Sequence, residues 1–290
     1  MTVRNRAELW LLSCTLIWGG TFVIVKLGLD DISPLLFITV RFAIATLVFL
    51  PFVLPVMKSM TTGTLLRGSI LGILLSIGFI TQTVGMQHTT ASKSAFITGL
   101  LVVFTPIFQI VIERRLPRLG NLLGIVLVLV GLFLLTSPEG SSFTTGDALT
   151  LVCAAVFGLY IVYLDVFARS DDFRHLTILQ FVVALVSAGV GLWLFEEPRF
   201  VLSAFTAWAL GYLAILATVV TLVVQTRYQK DTSPTRAAVI FSIEPVFAAI
   251  LAYLVLGEEI GLMGIAGGAI VIAGLLVSEL WDRPLPGSAD

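Results

Sequence analysis

The chain has 290 residues, 58% of them hydrophobic, with a mean hydropathy of +1.04 and only 12% charged, about half the ~25% of a soluble domain. A chain this short has no core able to hide so much apolar surface, so a water-soluble globular protein is excluded and lipid is the solvent. The net charge of −1 says little by itself, and no nucleic-acid partner is expected.

Apolar runs of helical length follow one another at 8–28, 33–54, 66–86, 91–113, 119–136, 146–167, 175–194, 207–230, 235–256 and 261–281. Each has about the 20 residues that cross ~30 Å of hydrocarbon. Arg4 and Arg6 before the first run resemble a signal peptide, but the run carries Trp18 instead of a small-residue cleavage site and reads as a retained span. Connections are short and polar, such as Asp30–Pro34, Arg114–Pro117 and Ser137–Gly140, and beyond the tail Pro284–Asp290 no low-complexity segment appears. With ten spans, Arg4, Arg6, Lys58, Arg67, Arg114, Arg115, Arg118, Arg169, Arg174, Arg227, Lys230, Arg236 and Arg283 all fall on one side. The other side holds Arg199, with Lys93 at a helix mouth. The positive-inside rule makes the crowded side cytoplasmic, with both termini, in what reads as a bacterial inner membrane.

Thr81–Ala95 and Val224–Ala238 say nearly the same thing: Gln-Thr, then Thr89 or Thr232, then Lys93 or Arg236, all 143 residues apart. Cys14, Trp18 and Gly19 match Cys153, Phe157 and Gly158 at 139, as Arg41-Phe42 matches Gln180-Phe181 and Thr105-Pro106 matches Glu244-Pro245. Gly124 and Gly131 lie over Gly267 and Gly274 at 143 again, so span 4 has one extra turn, expected around Phe96–Gly99. The expectation is an all-α membrane protein of two five-helix repeats, 1–140 and 141–290. Five is odd, so the second repeat enters the membrane upside-down, with a central cavity on the shared axis. Lys58 and Arg199 must then lie at opposite faces.

Trp18–Lys26, Arg41-Phe42, Ala95–Gly99 with Phe104-Thr105-Pro106, and Ile243–Ala248 with Gly257-Glu258 resemble the EamA-type drug/metabolite transporter superfamily over essentially the whole chain. The resemblance implies a ten-helix basket in which spans 1, 3, 4, 6, 8 and 9 surround the cavity, with 5 and 10 peripheral. Many members export amino acids or related metabolites. Asp165 stands where the first half has Lys26, so strict two-fold chemistry is not expected.

A cavity at the midplane needs polar groups among apolar and aromatic walls. Gln82 and Gln225, deep in spans 3 and 8, suit a polar or zwitterionic substrate, or hold helices together at about 0.6 kcal/mol each. Trp18, Thr21 and Phe22 in span 1 and Tyr160 and Tyr163 in span 6 suit a stacking clamp, or plain packing. Glu244 at bilayer depth costs roughly 2.5–3.5 kcal/mol when ionised, so it needs a proton or a partner. Arg41 is a candidate carboxylate binder or a side chain that snorkels to an interface, and Asp165 has the latter option too. Lys26 and Asp30 are spaced for a helix-end pair. Pro106 and Pro245 are expected to kink spans 4 and 9.

Gly120-x-x-x-Gly124 and Gly264-x-x-x-Gly268 favour close helix packing, internal for a monomer or as a homodimer seam. Cys14, Cys153, His88 and His175 make no metal cluster, and neither cofactor nor metal is expected. No phosphate loop, Gly-x-Ser-x-Gly or His-Glu-x-x-His occurs, which argues against an ATP-driven pump and an intramembrane enzyme. The sequence-level expectation is a secondary transporter of small polar metabolites, amino acids foremost, exporting by alternating access. Cationic drugs or nucleosides are the other substrates it admits, and a passive channel the other mechanism.

Overall fold

The computed structural model describes residues 2–136, 143–257 and 261–281, so the expected boundary at 140/141, the Ser137–Gly140 connection, Glu258, Arg283 and the tail lie outside the described residues. Eight helical spans of 23–28 residues are long and apolar enough to cross a bilayer, and two shorter apolar helices join them. In chain order they are α1 (Val3–Gly28), α2 (Pro34–Val53, continued by a 3-10 turn to Ser59), α3 (Thr62–Met86), α4 (Ala91–Gly99) and α5 (Leu101–Glu113). Then come α6 (Leu119–Thr136), α7 (Thr145–Ala168), α8 (Phe173–Phe195) and α9 (Ala204–Gly211), which runs through a π-helical segment, Tyr212–Val220, into α10 (Thr221–Tyr228). The series closes with α11 (Pro234–Phe241), α12 (Glu244–Leu256) and α13 (Leu262–Trp281).

Side-chain caps start the helices where the sequence turns polar. Thr61 and Ser203 accept from the backbone of Thr64 and Thr206, and Thr90 and Ser233 accept from Lys93 and Arg236. Each cap satisfies a backbone N–H that the first helical turn leaves open. Ends repeat as well. α5 stops at Arg114 (φ 54) and α12 at Gly257 (φ 68), both left-handed, where glycine carries no Cβ penalty.

The connections sort into two ends. At one, Ser33 N–H donates to the Arg199 carbonyl, the Arg199 guanidinium reaches the Leu29 carbonyl at 2.6 Å, and Lys26 reaches the carbonyls of Met86 and Thr89. At the other, one cleft gathers Arg4, Arg115, Arg118, Arg169 and Lys230, while Arg67 pairs with Asp171 and His175 meets the Val56 carbonyl. Lys58, two residues on from Val56, and Arg199 therefore sit at opposite ends. Exposed Trp193 and Trp208 mark the first end, Trp10 and Trp281 the basic one, as bilayer interfaces favour. Between them the outer surface is apolar, with Leu47, Leu66, Val111, Phe133, Val186 and Leu254 all exposed. A face of that extent belongs against lipid chains.

Helix contacts are exchange-related. Gly124 packs on the Gly274 carbonyl and Gly131 on the Gly267 carbonyl, the pairing generated when 124/267 and 131/274 swap roles. Rising numbers in α6 meet falling numbers in α13, so the fifth helix of each half runs antiparallel to its counterpart, as an inverted repeat requires. Gly19 lies against the backbone of Glu244 and the Phe247 side chain, and its counterpart Gly158 against Phe104 and Thr105. A Cβ at Gly19 would stand 2.5 Å from that of Phe247, so α1 and α12 approach more closely than any larger residue allows.

Spans 4 and 9 are broken helices. Span 9 is interrupted at Ser242–Ile243, directly before Glu244-Pro245 at the first turn of α12. Span 4 is interrupted at Leu100, six residues before Pro106, which lies inside α5. Tight i→i+3 bonds, Leu100 N–H to Ile97 and Val103 N–H to Leu100, close the break there. The chain takes twelve residues from Lys93 to Thr105 but eight from Arg236 to Glu244, so the extra turn sits around this break.

Candidate transport cavity

A small cavity of about 60 Å³ lies between the halves, well under the ~300–1,000 Å³ typical of small-molecule sites. Its polar groups are Thr21, Arg41, Gln82, Thr98, Gln225 and Glu244, and its aromatic wall is Trp18, Phe79, Phe157, Tyr160 and Phe241. Spans 1, 2, 3, 4, 6, 8 and 9 supply them, the set implied by the resemblance with span 2 added through Arg41.

Arg41 is roughly 10 Å into α2 at 1.5 Å per residue, and its side chain is 5% exposed. It does not snorkel, because it belongs to the buried stripe Phe37, Ile38, Phe42 and Ala45. Nε donates to Thr218 Oγ1 at 2.6 Å, Nη2 to the Ala217 carbonyl at 3.2 Å, and the guanidinium stands 4.6 Å from the centre of the Phe79 ring. Both acceptors lie in the π-helical segment. The Ala217 carbonyl also accepts from Trp18 Nε1 at 3.1 Å and from Thr221 Oγ1 at 2.8 Å, so this segment holds Trp18 and Arg41 together. π-helical turns recur at functional sites. Among the described residues no carboxylate lies within 4 Å of Arg41.

Glu244 opens α12 and faces the cavity with no hydrogen-bond or ion-pair partner among the described residues. The cavity thus has one cation and one anion that do not neutralise each other by contact. Gln82 donates to Thr98 Oγ1 at 3.1 Å, and Gln225 to Gln229 Oε1 at 2.9 Å, which leaves both amide groups with capacity to spare. Tyr160 donates to Gln180 Oε1 at 2.6 Å, the residue equivalent to Arg41.

The structure therefore brings together Trp18, Thr21, Arg41, Gln82, Tyr160, Gln225 and Glu244, and leaves two expected residues elsewhere. Phe22 is 1% exposed and packs with Phe37, Met86 and Leu213 toward the Arg199 end. Tyr163 stacks on Phe167 at 5.4 Å, off the cavity. Two pairings also differ from expectation. Lys26 directs its ammonium to carbonyls rather than to Asp30, and Asp165 is buried at the basic end of α7, paired with the half-exposed Arg169 at 2.9 Å rather than reaching solvent itself. Phe79, Thr98 and Phe241 were not expected. Phe79 lies one turn before Gln82, so the helical spacing held that signal.

The profile of the EamA-like transporter family matches residues 5–137 and again 144–280. The chain is 33% identical over 278 residues to an uncharacterized transporter of Archaeoglobus fulgidus, covering 96% of this chain and 87% of that one. It is 27% identical to the uncharacterized transporter YoaV of Bacillus subtilis (94% and 96% covered) and 25% identical to the uncharacterized inner membrane transporter YedA of Escherichia coli (92% and 89%). A solved structure titled "Crystal structure of protein" shares the fold with a TM-score of 0.80 at 16% identity, over 96% of this chain and 98% of that one.

Proposed function

The chain belongs to the EamA-like transporter family and is a multi-pass membrane transporter, and from that premise we propose that it carries small zwitterions, amino acids foremost, by alternating access. The observation that carries the reading is the unpaired couple of Arg41 and Glu244 in one cavity. A buried guanidinium without a carboxylate recruits one readily, since its planar donors match that geometry. An unpartnered carboxylate at bilayer depth gains from a substrate ammonium or a proton. One of each, across an aromatic-walled cavity, complements an α-amino acid better than an organic cation or a nucleoside. The inverted repeat supports alternating access, because swapping the conformations of the two halves turns an opening at one end into an opening at the other. The resemblance supports export. We place the basic end and both termini in the cytoplasm.

Counterflow in proteoliposomes tests the reading. Preloading with unlabelled amino acid should accelerate entry of labelled amino acid; a channel gives no acceleration, and acceleration only by cationic drugs or nucleosides replaces the substrate class. The amides give a second expectation. Gln82→Leu or Gln225→Leu removes both polar ends of one side chain and should lower transport roughly tenfold or more, given ~1.4 kcal/mol per decade, with the melting temperature little changed. Undiminished transport by both variants assigns these residues to helix packing.

A further inference from the structure

Two ion pairs stand at opposite ends of the cavity, and each is the other's counterpart in the repeat. At the basic end, Glu8 of α1 accepts from Arg236 Nε and Nη2 (3.1 Å for Nη2 to Oε2) and from Thr232 Oγ1 at 3.2 Å. At the other end, Asp147 of α7 accepts from Lys93 Nζ at 2.6 Å and from Thr89 Oγ1 at 2.7 Å. Glu8 and Asp147 are 139 apart, the offset of Cys14/Cys153, and Lys93/Arg236 and Thr89/Thr232 are 143 apart. Acid, base and threonine all correspond.

Each base rides on a half-helix. Lys93 is in α4, cut from α5 at Leu100, and Arg236 is in α11, cut from α12 at Ser242–Ile243. Such breaks act as hinges, since the two halves share no continuous run of i→i+4 bonds there. Each acid is on the first helix of its own half. The pair at either end therefore ties a hinged half-helix to the helix that carries the aromatic wall, Trp18 for one and Phe157 with Tyr160 for the other.

We propose that Glu8–Arg236 and Asp147–Lys93 are alternating latches, each closing the cavity mouth at its own end. The proposal rests on the alternating-access reading of the proposed function. The structure has both latches formed, the arrangement of the occluded state between the two openings, and release of one with retention of the other gives each open state. Asp147 also accepts from Thr144 N–H at 2.8 Å in the cap of α7, so the variants change the bases and leave that cap intact.

The test places a single cysteine at Leu101, on the cavity wall, in a Cys14→Ser, Cys153→Ser background. It is labelled with a membrane-impermeant maleimide in right-side-out and inside-out vesicles. Arg236→Gln should raise labelling from the basic end roughly tenfold and lower it from the other, the population shift expected when one contact of a closed state is lost. Lys93→Gln should do the reverse. Exchanging the charges, Glu8→Arg with Arg236→Glu, should restore the parent pattern, which keeps the test decisive if a single variant folds poorly. Unchanged sidedness in both single variants, an equal rise at both faces, or no restoration on exchange overturns the latches. If amino acid switches the labelled face of the parent while the latch variants match it, only the latches fail. A parent labelled equally from both faces, whatever is added, defeats alternating access itself.

Discussion

Arg41→Gln is expected to lower amino-acid transport by about two orders of magnitude while the protein stays folded. Removing one member of a buried, hydrogen-bonded charge pair costs about 2–5 kcal/mol, and each 1.4 kcal/mol is a factor of ten. The glutamine amide nitrogen stands where Arg41 Nε does and can keep the bond to Thr218 Oγ1, so the contact between α2 and the π-helical segment survives in part. The pair lost is the one that forms with a substrate carboxylate. A merely structural arginine would lower every flux together. If Arg41 receives the carboxylate, an amine analogue that lacks the carboxyl group keeps its rate in Arg41→Gln, while the amino acid loses its own. Arg41→Lys should fall between, because an ammonium keeps the charge but cannot donate two parallel bonds. Rates for acid and amine measured side by side in proteoliposomes decide it; an equal fall for both removes Arg41 from substrate recognition.

The two charges of the cavity are departures from the repeat. Arg41 corresponds to Gln180, which is buried and bonded to Tyr160, and Glu244 corresponds to Thr105, which bonds back to the Leu101 carbonyl. Elements that correspond, such as Gly19 with Gly158 and Gly124 with Gly267, make helix contacts that are the same at both ends. Duplication thus supplies a frame with two equivalent packings, and the places where the halves differ give the cavity its chemistry. The proposed zwitterionic substrate needs its carboxylate and its ammonium received by different groups, which a symmetric pair of side chains cannot provide.

Much of this is legible in residue order because lipid imposes two coarse rules. Every span needs about 20 apolar residues, and basic residues concentrate at one face, so runs and loops are enough to order ten helices and their ends. Gln82 and Gln225 are legible through the repeat. The interior is harder to read. The segment Tyr212–Val220 is apolar but for Thr218 and has no proline or glycine, and nothing in its composition distinguishes i→i+5 from i→i+4 bonding. The break at Leu100 follows Gly99 but precedes Pro106, and proline is the stronger visible cue. Depth alone misleads for Arg41, although Phe37 and Ala45, one turn to either side, already mark its face as buried. Phe22 shows the opposite error. It lies one turn from Trp18, yet that turn carries it past the cavity into another cluster.

Glu244→Gln should abolish pH-driven flux and leave one-for-one exchange of amino acids largely intact. An ionised carboxylate at this depth costs roughly 2.5–3.5 kcal/mol unless something positive accompanies it, and no protein group among the described residues does so. On the proposed alternating-access reading, the empty carrier crosses between its two states with a proton on Glu244, and the loaded carrier crosses with the substrate ammonium against the same carboxylate. Proton and substrate then compete for one group, which is sufficient for coupling. Glutamine is close in shape, keeps the polar contact with an ammonium and cannot bind the proton. Net flux under an imposed pH gradient therefore disappears, whereas exchange, in which every crossing is made with substrate aboard, continues at a somewhat higher KM. The substitution also removes a charge from the first turn of α12 beside Pro245, so a thermal-unfolding curve belongs with the transport assay. Persistence of pH-driven flux in a folded Glu244→Gln protein would confine this carboxyl to completing the helix break. Loss of exchange and pH-driven flux together would make it a substrate ligand without a proton role.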